Sequence, residues 1–120
     1  MSISERPSEP LPASEQPAAI SRYVAQLITA AIGRGPTRIR TRIAEDVIIV
    51  VMEELLTHAE SSLAANDKGD LVIQVRRAFQ EVARPDLVGA VEAITGRRVR
   101  GFLSDHQLDP DIAIETFILE

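Results

Sequence analysis

Residues 33–52 read GRGPTRIRTRIAEDVIIVVM, and this stretch decides the fold. In residues 37–43 arginine alternates with isoleucine and threonine, and this period of two is typical of a β-strand with one wet face. Residues 47–52, VIIVVM, are apolar on both faces, which predicts a central strand covered on both sides. The three residues 44–46 form a connection short enough to join the two strands directly. The stretch therefore predicts an antiparallel hairpin.

Helical patterns lie on both sides of this hairpin. Residues 18–32 carry apolar side chains at helical spacing, and Gly33 stands where a helix C-cap belongs. Thr57 and Glu60 form the S/T-x-x-E capping box of a short helix that ends near residue 66. A further helical pattern begins at residue 71, is broken or kinked at Arg84-Pro85, and continues until Gly96 caps it.

Two more strands are predicted over residues 98–104 and 112–119, with Ile112, Ile114 and Ile118 on the core face. The element order is then α-ββ-αα-ββ. This order predicts an α+β fold: a four-stranded, largely antiparallel sheet from two hairpins, with helices packed on one face.

Composition limits the function classes. The 120 residues carry a net charge of −5 and no cysteine, which excludes disulfides and thiolate metal sites. Residues 1–17 hold four of the seven prolines and predict a disordered Pro/Ser/Glu-rich leader before a single domain at 18–120. No apolar run is long enough to span a membrane, so we expect a cytoplasmic protein.

Several motifs in order along the chain resemble the MpsC-like family of small bacterial domains. They include the Gly33-Arg34-Gly35-Pro36 stretch, the L-T-x-x-E box at 56–60, and Asp105. Others are Arg76-Arg77, Arg84-Pro85, Thr95-Gly96 and the terminal Phe117. The resemblance spans about residues 18–120. It implies a link to a Na⁺-translocating, membrane-potential-generating system and brings no catalytic residue set. Gly33, Arg34, Gly35, Pro36, Arg76 and Asp105 are taken over as motif positions.

The first motif has two interpretations. Backbone N–H groups around the glycines could form an anion-binding nest, with Arg34 adding positive charge. Alternatively, Gly33 ends the helix, Pro36 prevents its continuation, and Arg34 satisfies terminal carbonyls. The negative end of the helix dipole points at this loop, which favours the structural interpretation.

The arginine ladder of the first strand, Arg38, Arg40 and Arg42, also has two interpretations. Together with Arg98 and Arg100 it could form a basic sheet face that contacts nucleic acid, with Phe102 and Phe117 as the available aromatic side chains. The alternative is a wet face on which arginines pair with Glu115, Glu45 or Glu53. The acidic net charge and the few aromatics favour pairing.

The sequence predicts no cofactor and no metal site. His106 lies among Asp105, Asp109 and Asp111, but their spacing matches no EF-hand. No nucleophile elbow, zinc-protease or dinucleotide-binding motif occurs, so an enzyme is not expected. An enzyme that uses Arg34, Arg76 and Asp105 on an acidic substrate is kept as a third hypothesis.

The leading hypothesis is a non-enzymatic interaction or regulatory module resembling MpsC, accessory to an ion-transport system. We expect it to form a homo-oligomer, to work with a protein partner or membrane protein complex, and not to bind nucleic acid. The alternative is an anion or nucleic-acid binder that uses the arginine-rich sheet face. An apolar open sheet face would favour the first hypothesis, a continuous basic face the second, and a closed arginine-lined pocket the third.

Overall fold

A computed structural model describes residues 5–120 and confirms the predicted α+β fold and its element order. The helices and strands are α1 (Gln16–Ile32), β1 (Arg38–Ala44), β2 (Val47–Glu53), α2 (His58–Ala65), α3 (Gly69–Thr95), β3 (Val99–Gln107) and β4 (Ile112–Leu119). A 3₁₀ turn, Ala13–Glu15, leads into α1.

The four strands form one antiparallel sheet in the order β1-β2-β4-β3. Each hairpin thus contributes one edge strand and one central strand. Opposite residues in the register lie in rows that run across all four strands. One such row is Arg40, Val51, Ile114 and Asp105.

The core lies between this sheet and the helices α1 and α3. On β4 it is Ala113, Phe117 and Leu119 that are buried there, so the prediction that Ile112, Ile114 and Ile118 mark the core face is wrong. Both sets alternate and both are apolar, so the sequence alone does not decide which face of β4 is buried. Phe102 and Phe117 stack in the core with ring centroids 5.0 Å apart. Neither ring is on the open face of the sheet.

The helices cover only one face of β2, whereas the sequence predicted cover on both. Ile48, Val50 and Met52 face the helices and are fully buried. Ile49 lies on the other face and is 39% exposed, because no element of the described chain packs there. We call this uncovered side of the sheet the open face.

The predicted helix ends are confirmed at three places. Thr57 and Glu60 form the capping box that begins α2, and Gly33 and Gly96 are left-handed C-caps of α1 and α3. Arg84-Pro85 does not divide the long helix, since α3 continues through Pro85.

Replacing Gly33 by alanine is expected to lower the free energy of unfolding by about 1 kcal/mol, the cost of a left-handed backbone for a residue with a Cβ. The φ angle of Gly33 is +84°, and no atom lies within 4 Å of the position a Cβ would take, so steric clash does not contribute. Urea unfolding measures the change. Gly33→Asn should lose less, because asparagine tolerates this conformation. Equal losses for both variants would contradict the assignment.

Residues 6–11 lie along the C-terminal half of α3. Leu11 donates its N–H to the Ile94 carbonyl at 2.9 Å and packs against the core, and Arg6 lies 3.3 Å from Asp86. The division into a disordered leader at 1–17 and a domain at 18–120 stays a prediction, and residues 1–4 lie outside the described residues. None of the helices within residues 5–120 is long and apolar enough to cross a membrane.

Candidate functional site

Three side chains from distant parts of the chain hold the connection between β2 and α2. Arg34 donates from Nη1 to the Leu56 carbonyl at 2.9 Å, and the Leu56 N–H donates to Oδ2 of Asp111 at 2.8 Å. Arg76 donates from Nη2 to the Leu55 carbonyl at 2.7 Å. These contacts satisfy backbone groups that would otherwise be buried without partners. The Arg34 and Arg76 motif positions are therefore parts of a structural network.

Glu60 joins this network from α2. Arg76 donates to both Glu60 carboxylate oxygens, with an Nε–Oε2 distance of 2.6 Å. Burial alone would raise the pKa of Glu60, but the hydrogen bonds from Arg76 and Thr57 outweigh it and hold the pKa below its ordinary value. The capping box and the buried arginine thus share one carboxylate.

The GRGP stretch has a structural role in this geometry. Gly33 ends α1, and a Cβ at Gly35 would lie 2.6 Å from Oγ1 of Thr29, so only glycine fits there without displacement. Pro36 follows in the connection to β1. The Arg34 guanidinium is bound to the Leu56 carbonyl. The helix end at Gly33 matches the structural interpretation of the motif, but Arg34 donates to a carbonyl of the β2–α2 connection and not, as that interpretation predicted, to the terminal carbonyls of α1.

The arginine ladder lies along one edge of the open face, on β1. Arg38 and Arg40 are 3.7 Å and 3.5 Å from Glu53, one of the predicted partners. Arg42 donates to the Thr41 carbonyl. Glu115, another predicted partner, was placed wrongly, since it is buried on the helix side of the sheet.

Arg98 and Arg100 do not extend the ladder. Arg98 precedes β3 and lies 3.9 Å from Glu120. Arg100 lies in the irregular register between Val99 and Gly101 and is 3.7 Å from Asp46. The open face therefore carries positive charge along one edge and no continuous basic surface.

The middle of the open face is apolar. Central strand β2 presents Val47, Ile49 and Val51. Central strand β4 presents Ile112, Ile114 and Ile118, with Thr116 as the polar residue among them. On the outer strand β3, Leu103 is 66% exposed. Apolar patches of this kind on a small domain mark interaction surfaces.

The opposite edge of the open face carries Asp105, on β3, in the same row as Arg40. The arginines of β1 on one edge and the single carboxylate of Asp105 on the other thus flank the centre of the face. Asp105 and Arg76 line a cleft of about 300 Å³ between α3 and β3, but Arg34 does not. The three residues of the enzyme hypothesis are therefore not brought together in one pocket.

A buried carboxyl group that sequence reasoning missed lies next to this cleft. Glu115 is 0% exposed, and both of its carboxylate oxygens lack a hydrogen-bond partner among the described residues, as does Oε1 of Gln80. Burial raises the pKa of Glu115 to about 7, although the neighbouring Ser104 and Gln80 side chains oppose the rise. The signal in the sequence is the spacing of two residues between Glu115, Phe117 and Leu119, which places all three side chains on the same face of β4.

The predicted His106 cluster is a hydrogen-bonded pair. Nε2 of His106 lies 2.7 Å from Oδ1 of Asp111, whose other oxygen accepts from Leu56. His106 belongs to β3, which is longer than the sequence predicted. Within residues 5–120 no group of three or more His, Asp or Glu side chains is placed to hold a metal ion.

A layer of helices on one face of an antiparallel sheet, with the other face apolar and uncovered, defines a two-layer α+β domain with one unpaired sheet face. The chain belongs to the MpsC family, described as "Na+-translocating membrane potential-generating system (MpsC)", which it matches over residues 14–120. This confirms the resemblance seen in the sequence. It is also similar to the uncharacterized protein YbcI of Bacillus subtilis (strain 168), with 33% identity over 87 residues, which cover 72% of this chain and 70% of YbcI. No solved structure matches the chain.

Proposed function

We propose that this protein is a non-enzymatic interaction module, accessory to an ion-transport system, and that its open sheet face is the surface that contacts a protein partner. The observation that supports this most is the apolar centre of that face, with Ile49 39%, Ile114 40% and Leu103 66% exposed. Fully burying an apolar side chain of this size is favourable by roughly 1.5–3 kcal/mol of free energy. A partner that covers these side chains would therefore be stabilised by their burial. The family description supplies the ion-transport context.

The charges of the open face support a protein partner over nucleic acid. The arginines lie on one edge only, two of them are close to Glu53, and the net charge of the chain is −5. Single-strand binders place aromatic rings on the sheet, whereas Phe102 and Phe117 are in the core.

Site-specific photo-crosslinking in native cells tests the proposal. A photoreactive amino acid at position 103, on the open face, is expected to give a discrete protein adduct that mass spectrometry identifies as a component of a cation-transport system or as a second copy of this chain. The matched control is position 82 on α3, where Val82 is 77% exposed but lies outside the open face. Absence of an adduct at position 103, or equal labelling at both positions, would overturn the proposal.

A further inference from the structure

The strand β2 is apolar on both sides, but residues 5–120 cover only one of them. A strand of this composition is typical of a sheet buried on both faces. Within residues 5–120 nothing supplies the second cover. Two sheets that pack face to face lie about 10 Å apart with their strands nearly aligned, and their side chains interdigitate.

The open face is complementary to itself under one twofold rotation. Consider an axis that runs parallel to the strands, in the plane between two facing sheets, above the β2–β4 boundary. This rotation places β1 of one copy over β3 of the other and β2 over β4. Each row of one copy then faces the same row of the second copy, read from β3 to β1 instead of from β1 to β3. Arg40 therefore lies opposite Asp105, and Val51 lies opposite Ile114. We infer that the occupant of the open face is a second copy of this chain, packed in this orientation; the inference rests on the proposed function of that face.

The charges select this axis over its alternative. A twofold axis perpendicular to the strands would place Arg40 opposite Arg40 of the second copy, and like charges at an interface are unfavourable. The strand-parallel axis instead places Arg40 opposite Asp105 on both sides of the dimer, with Arg42 opposite Leu103 and Arg38 opposite Gln107. The apolar side chains of β2 and β4 form the centre, and the row of Arg38, Glu53, Ile112 and Gln107, three of which are polar, lies at one end of the strands, where an interface has its polar rim.

The size of the face sets the expected affinity. Four strands about 4.8 Å apart and about seven residues long give a footprint of roughly 440 Å² per copy. The accessible area of a surface covered with side chains exceeds its footprint, which brings each copy near the roughly 600 Å² at the lower limit of specific interfaces. We therefore expect a dimer with a dissociation constant in the micromolar range, visible only in a concentration series.

A charge exchange tests both the partner and the orientation. In sedimentation velocity across a dilution series, wild-type protein should reach twice the 13.1 kDa mass of the chain. Arg40→Glu and Asp105→Arg should each raise the dissociation constant by about 30-fold, equivalent to about 2 kcal/mol. The double variant Arg40→Glu/Asp105→Arg should recover most of the loss, because the charges again pair across the dimer. Arg98→Glu is the matched control, since Arg98 is exposed and lies outside the face.

Each outcome decides the inference. Thermal unfolding of every variant as a dilute monomer shows whether that variant is folded. The double variant contains both single substitutions, so a recovery of its dimer affinity cannot come from a change in stability alone. A tighter dimer with Arg40→Glu alone, or no recovery in the double variant, would overturn the orientation. A wild-type protein that stays monomeric at high micromolar concentration would overturn self-association. If position 103 then still crosslinks to a transport component, the proposed function survives without this inference.

Discussion

Replacing Arg76 by methionine is expected to lower the free energy of unfolding by about 3 to 5 kcal/mol, the usual loss when one partner of a buried ion pair is removed. The Arg76 side chain is 5% exposed and that of Glu60 is 14% exposed. Methionine retains the apolar stem of the side chain but leaves the Glu60 carboxylate and the Leu55 carbonyl without their donor. Urea unfolding at pH 7 measures the loss.

Arg77→Met is the matched control for this experiment. Arg77 is the next residue of α3 and is exposed, so its replacement should change stability by no more than about 0.5 kcal/mol. The double variant Arg76→Met/Glu60→Leu should recover part of the loss, because it removes the stranded carboxylate. Equal stability of Arg76→Met and Arg77→Met would show that the network of Arg76 does not stabilise the fold.

The second large effect concerns pH. Glu115 has a pKa of about 7 in the folded protein against 4.5 ordinarily. Between these values the folded state holds a proton that the unfolded state has lost, so this group makes stability fall as pH rises. The loss begins near pH 4.5, amounts to about 3 kcal/mol by pH 7, and is constant above it, when both states are ionised.

Glu115→Gln removes this titration while keeping nearly the same shape. Because Glu60 has a lowered pKa and acts in the opposite direction, the quantity to measure is the difference in unfolding free energy between wild-type and variant at each pH. This difference should shift in favour of the variant by about 3 kcal/mol from pH 4.5 to pH 7. A difference that stays constant over this window would mean that the Glu115 pKa is not raised.

Local signals in the sequence predicted most of the secondary structure. The helix ends at Gly33 and Thr57 were predictable because a glycine C-cap and a capping box act within one helical turn. The first hairpin was predictable because residues 37–52 change from alternating to continuously apolar. The extent of β3 was not, since polar residues at 105–107 resemble a loop and are held in the strand by pairing with β4.

The buried face of each strand was harder to predict, for two physical reasons. In β4 both faces of the strand carry aliphatic side chains. The buried face also contains Glu115, a residue whose charge predicts exposure. In β2 the sequence shows that both faces are apolar, but it does not show which chain covers them. The sequence singled out Arg34 and Arg76 as motif positions, but it could not give their partners, the Leu56 and Leu55 carbonyls, because tertiary structure sets them.

The position of β4 has a consequence for how the chain folds during synthesis. It is the last of the four strands to be made, yet it lies between β2 and β3 and hydrogen-bonds to both. Until residues 112–119 leave the ribosome, the first hairpin and β3 have no strand to join them, and Phe117 is missing from the core. Domains fold as units once their non-local contacts are complete. A nascent chain stalled before Ile112 should therefore remain sensitive to protease and available to chaperones, whatever the duration of the stall.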